Sequence, residues 1–122
     1  MGDRVNFVFK TELDKPYIGL YSHWGATSWR EDLAIALDKA RPRLALGDVP
    51  YATRIIFDQL TKDGRDSETG FGIYLTDTTE NDYDTVVEID MTTQMVNDSG
   101  HWHSFESFVE YISEVINYHD GV

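Results

Sequence analysis

Apolar and polar residues alternate over residues 4–10, RVNFVFK, and set Val5, Phe7 and Phe9 on one face. This is the period-two pattern of a strand. The polar stretch TELDKP (11–16) reads as a turn, and YIGLYS (17–22) reads as a second strand completing a hairpin. The period then lengthens. Leu33, Ala36, Leu37 and Ala40 recur at helical spacing behind Ser28-Trp29-Arg30-Glu31, a capping-box pattern in which the Ser28 hydroxyl and Glu31 satisfy each other's backbone amides. Pro42 is expected to end that helix. A second helix starts at Asp48 as N-cap, tolerates Pro50 in its first turn and carries Ala52, Ile55, Ile56 and Leu60 as its buried stripe. Asp63-Gly64 breaks it.

Strands are expected again at 71–76 (FGIYLT) and 85–91 (TVVEIDM). The second should turn Val87, Ile89 and Met91 to the core and Glu88 and Asp90 away from it. A short strand is admissible around Met95–Val96, and Asn97-Asp98-Ser99-Gly100 is a turn. Ser104 then caps a last helix whose apolar stripe is Phe105, Phe108, Ile112 and Val115/Ile116. The order β-β-α-α-β-β-α, with strands in runs beside a pair of helices, implies one α+β domain over residues 1–122. Its sheet should be small and mostly antiparallel, with the helices packed on it.

Composition narrows the chemistry. The 122 residues contain no cysteine, which excludes disulfides, thiolate metal sites and cysteine nucleophiles and fits a reducing compartment. Neither an apolar leader nor an 18-residue apolar run is present, so the expected location is the cytoplasm of a host cell, away from membranes. The net charge of -12 is unevenly placed. Residues 1–61 hold eight basic and eight acidic side chains, whereas residues 62–122 hold two basic and fourteen acidic ones. Such an acidic half repels phosphate backbones, so direct nucleic-acid binding is not expected. Some arginines of the first half are expected to pair with it.

Phosphate-loop, dinucleotide, zincin and nucleophile-elbow motifs are all absent. Three weaker patterns remain. His101-Trp102-His103 would aim two imidazoles the same way on an extended segment, with His23 and Glu88 or Asp90 as further metal ligands. Glu88 and Asp90 share a strand face, as an acid/base pair would. Glu106, Glu110 and Glu114 form an acidic row along the last helix, either a solvated back or a docking edge. A fourth group is broader: Arg4, Arg30, Arg41, Arg43 and Arg54 beside Tyr17, Tyr21, Trp24 and Trp29 suit an anionic, ring-bearing ligand.

Four blocks of this sequence, Gly2-Asp3-Arg4-Val5-Asn6, Tyr21-Ser22-His23-Trp24-Gly25, Tyr51 to Asp58 (YATRIIFD) and Glu68 to Ile73 (ETGFGI), resemble a family of small accessory proteins of bacteriophages and prophages. The resemblance spans roughly residues 2–75, with Ala26 where the family commonly has a second glycine. It implies a binding role, such as blocking a host defence, and marks Arg4, His23, Trp24, Arg54 and Glu68 as ligand-binding residues. The expectation is therefore a binding protein with no cofactor. Its partner would be a small anionic, nucleotide-like ligand or a host protein, and homo-oligomerisation would cover free sheet edges. Two alternatives stand beside it: a hydrolase or phosphodiesterase using His23 or a metal at His101 and His103, and an acidic inhibitor that imitates nucleic acid.

Overall fold

The computed structural model describes residues 3–80 and 84–120, the side chains of 116–120 excepted. Gly2 of the first block and the Ile116 side chain of the last expected stripe lie outside the described residues. In chain order the elements are β1 (Val5–Lys10), β2 (Tyr17–Ser22), α1 (Trp29–Lys39), α2 (Arg41–Ala45), α3 (Val49–Thr61), β3 (Phe71–Thr76), β4 (Thr85–Asp90), β5 (Met95–Asp98), β6 (His101–Ser104) and α4 (Phe105–Asp120). The strands form one sheet in the order β3-β2-β1-β4-β5-β6. Every neighbouring pair is antiparallel except β1 and β4, which run parallel. The fold is thus α+β with a mostly antiparallel sheet, but the order differs from β-β-α-α-β-β-α by a short third helix and two further strands.

Both differences have local causes. Pro42 does stop α1, but its fixed φ and missing N–H also suit a first turn, so α2 begins at once with Pro42 inside it. Ser99 and Gly100 both take positive φ, as the tight turn between two antiparallel strands requires, and so His101–Ser104 folds back on β5 as a strand. The caps divide. Asp48 accepts from the Tyr51 amide at 3.2 Å and Ser104 Oγ accepts from the Ser107 amide at 3.0 Å, as the sequence implied. Ser28 does not form the capping box. It sits at φ -117°, ψ 10°, short of the extended conformation a capping residue needs, and its hydroxyl donates to Asp32 instead.

The helices pack on one face of the sheet. There Val5, Phe7 and Phe9 of β1, Leu20, Val87, Ile89 and Val96 join Leu33, Ala36, Leu37, Ala52, Ile56, Phe105, Phe108 and Ile112 in a continuous core. Phe9 meets Phe57 of α3 at 4.8 Å between ring centroids, and Trp29 of α1 stacks on Phe108 of α4 at 6.0 Å.

The opposite face of β1 is buried as well, without a helix: Asn6 is 5% and Val8 2% exposed. The cover comes from Tyr74 of β3. Its ring lies over Gly19, the β2 residue paired with Val8, and its hydroxyl donates to Asn6 Oδ1 at 2.7 Å. Asn6 in turn donates to Asp84 Oδ2 at 3.0 Å. Burial, and then the Asp84 charge, push the Tyr74 phenol above its ordinary pKa. A Cβ at position 19 would overlap the Tyr74 ring. We expect Gly19→Ala to cost about 1–3 kcal/mol in urea denaturation, and most of that cost to vanish in a Tyr74→Ala background.

One ion pair ties α1 to the β5–β6 hairpin. Arg30 holds Asp98 with two bonds of 2.8 Å each, and its guanidinium also lies 4.7 Å from the Trp29 ring centroid. The Arg30 hydrogen bonds hold the Asp98 carboxyl below its ordinary pKa, and partial burial opposes them. A depressed carboxyl pKa stabilises the fold above the unfolded value, and that contribution fades as pH falls through the folded value. Asp98→Asn should therefore cost about 1 kcal/mol near pH 7, the scale of a partly exposed pair. The variant and parent stabilities should converge in acid, as chemical denaturation across a pH series would show.

Candidate functional site

Three of the four sequence blocks meet at the end of the sheet where β1 starts and β2 finishes. The chain leaves β2 at Ser22 and turns back hard. A Cβ on Gly25 would stand 2.8 Å from both Ser22 Oγ and Val5 Cγ1, so only glycine lets the backbone pass this close. Asp3 then fastens the turn, its carbonyl accepting from the Ala26 amide at 2.7 Å and its carboxylate from Thr27 Oγ1 at 3.2 Å. From the other side, the His23 amide donates to the Gly70 carbonyl at 2.9 Å.

Inside this clamp the side chains of 21, 23 and 24 order one another. Tyr21 Oη lies 2.6 Å from His23 Nδ1. Either partner can donate in this contact, according to the imidazole tautomer, and Nε2 takes no part in it. His23 meets Trp24 edge to face, at 4.8 Å and 87°. The indole rests against Gly70, at φ +108°, where a Cβ would come within 3.0 Å of Trp24 Cζ3. Trp24 nevertheless stays 65% exposed. Arg4 follows Asp3 directly and Glu68 precedes Gly70 by two residues, so both exposed side chains belong to this end of the sheet.

Arg54 does not join them. It sits on α3, where Nη1 donates to Asp58 at 2.7 Å rather than to Glu68. It lines a groove with Ile18, near the start of β2, while His23 lies five residues further along the strand. At about 3.3 Å per residue, roughly 17 Å separate the two levels. The expected single pocket of Arg4, His23, Trp24, Arg54 and Glu68 is therefore split.

The metal pattern is also taken apart, whereas Glu88 and Asp90 share one face of β4 as expected. His101 pairs with Asp98 and His103 with Val96, whereas Trp102 pairs with Asn97, the partner of Glu88. The two histidines thus face the side of the sheet opposite Glu88 and Asp90. They also stand four strand spacings from the β2 edge that leads to His23, roughly 19 Å. Among the described residues no three His, Cys, Asp or Glu side chains gather as metal ligands. Burial, with the Asp90 charge behind it, raises the Glu88 carboxyl against a smaller opposing pull from Lys10. Burial also acts to raise Asp90, but hydrogen bonds from Thr92 and Thr93 and the nearby Lys10 outweigh it and hold that carboxyl low. Asp90 is committed to the turn after β4.

The arginines pair mostly within their own half: Arg41 with Asp38, Arg43 with Asp48 and Arg54 with Asp58. Arg30–Asp98 and Lys10–Asp90 reach the acidic half. Glu106, Glu110 and Glu114 of α4 are exposed. No helix among the described residues is long and apolar enough to cross a membrane. No protein-family model, curated protein or solved structure matches the chain.

The clasp between Trp24 and Gly70 is open to a direct check. Gly70→Ala adds a side chain at a left-handed φ and against the indole, so it should destabilise the fold by about 1–2 kcal/mol. It should also move the Trp24 indole N–H resonance in a ¹H–¹⁵N spectrum while leaving that of Trp29 in place.

Proposed function

We propose that this chain is a small phage accessory protein that acts by binding, and that the Tyr21–His23–Trp24 end of the sheet is its recognition surface. The observation that carries this reading is Trp24 itself. A side chain of that size is mostly buried on average, yet here it is held in place and left largely open to solvent. Fixed, exposed aromatic side chains are the usual anchors of recognition.

The ligand this surface suits is ring-bearing and anionic, a nucleotide in the first instance. The indole face offers stacking, His23 Nε2 a hydrogen bond, and Arg4 a fork for phosphate oxygens. Blocking a host defence by sequestering such a signal fits the phage resemblance.

Calorimetric titration with a panel of mononucleotides and cyclic dinucleotides tests this. The expected result is binding by the parent protein, loss of at least tenfold in affinity in Trp24→Ala, and a smaller loss in Arg4→Ala. Ribose 5-phosphate, which lacks the ring, should bind far more weakly than the nucleotides. A parent protein that takes up none of the panel, or a Trp24→Ala variant that binds as the parent does, overturns the reading.

A further inference from the structure

A groove of about 490 Å³ opens where the β1–β2 turn meets the first half of α3. That volume lies in the range of small-molecule sites. Ile18, Val49 and Phe57 give it an apolar lining, and Glu12 and Arg54 are its two charged side chains. Thr53 lines it as well, and its buried Oγ1 has no hydrogen-bond partner among the described residues. A helical threonine ordinarily turns its hydroxyl to the carbonyl four residues back. Thr61, on the same helix, does so, reaching the Phe57 carbonyl at 2.8 Å. Thr53 is thus a buried hydroxyl left without a partner beside the groove, at a cost to the fold.

We infer that this groove binds a free apolar amino acid. The lining residues divide the ligand between them: the side chain lies on Ile18, Val49 and Phe57, the ammonium group faces Glu12, and the carboxylate faces Arg54. The bond to Asp58 uses one of the five guanidinium N–H groups of Arg54, so donors remain for a carboxylate. The two opposite charges select the class. A lone acid would bring its anion to Glu12, and a lone amine would bring its cation to Arg54, whereas a zwitterion satisfies both. This site is separate from the Trp24 surface and does not rest on it.

Titration of ¹⁵N-labelled protein with L-leucine tests the inference, with 4-methylpentanoate and isopentylamine as analogues that keep one charge each. L-Leucine should move the amides of Thr11, Glu12 and residues 51–57. Each analogue should bind roughly tenfold more weakly or worse, the worth of one charge-assisted hydrogen bond. Glu12→Gln should erase the preference for L-leucine over 4-methylpentanoate, and Arg54→Gln the preference over isopentylamine. The same spectra report whether each variant keeps its fold. The proposal is overturned if L-leucine leaves those amides unmoved, if either analogue binds as tightly as L-leucine, or if both folded variants keep the parent preference.

Discussion

Burial of β1 on both faces is the constraint on which the rest of this structure depends. On one face the helices supply the cover, through Phe57, Leu33 and the rest of the core around Val5, Phe7 and Phe9. On the other face no helix lies over Val8, and the chain answers with a line of side chains from Tyr74 through Asn6 to Asp84. That line crosses from β3 to the start of β4, two strands that pair with partners distant in sequence, β3 with β2 and β4 with β1. A polar residue at the centre of a sheet costs free energy when unpaired. Asn6 is paired at both its oxygen and its nitrogen, so it links strands at little cost. Gly19 belongs to the same device, since its missing side chain is the space the Tyr74 ring occupies.

The recognition end inherits its geometry from β1. Asp3, just ahead of the strand, fastens Ala26 and Thr27, and Gly25 lets that turn press against Val5 and Ser22. Gly70, just ahead of β3, holds His23 through its carbonyl and leaves room for the indole. Trp24 is exposed because these contacts fix its backbone at the sheet end, where no helix covers its ring. The charge layout has a similar logic. Arg41, Arg43 and Arg54 find acids within five residues, so among the described residues only Arg30–Asp98 and Lys10–Asp90 offset the surplus negative charge of residues 62–122 from the first half. Among the described residues Arg30 is the arginine that crosses, and it does so where it locks α1 to a hairpin.

Much of the architecture was legible because it depends on short-range order. The stripes Leu33, Ala36, Leu37 and Phe105, Phe108, Ile112 are buried as their spacing implied, and so are Val87, Ile89 and Met91, whereas Val115, expected in the last stripe, is exposed. Asp48 and Ser104 cap their helices. Ser28 carried the same signal and failed: its backbone is not extended, and its hydroxyl donates to Asp32. HWHS was unreadable as a strand. Its side chains are exposed, and its pairing with β5 depends on the turn at Ser99-Gly100, whose sequence signals a bend without signalling a strand beyond it.

Sequence alone determined most of the elements, most of their boundaries and most of their buried faces. These rest on interactions between residues no more than four or so apart. Tertiary structure decided the parallel pairing of β1 with β4, the cover over Val8, the distance of Arg54 from His23 and the opposed faces of His101 and Glu88. Each of these depends on which apolar surface meets which across the sheet. That choice is made by the burial of the whole core and leaves no period or spacing in the chain to read.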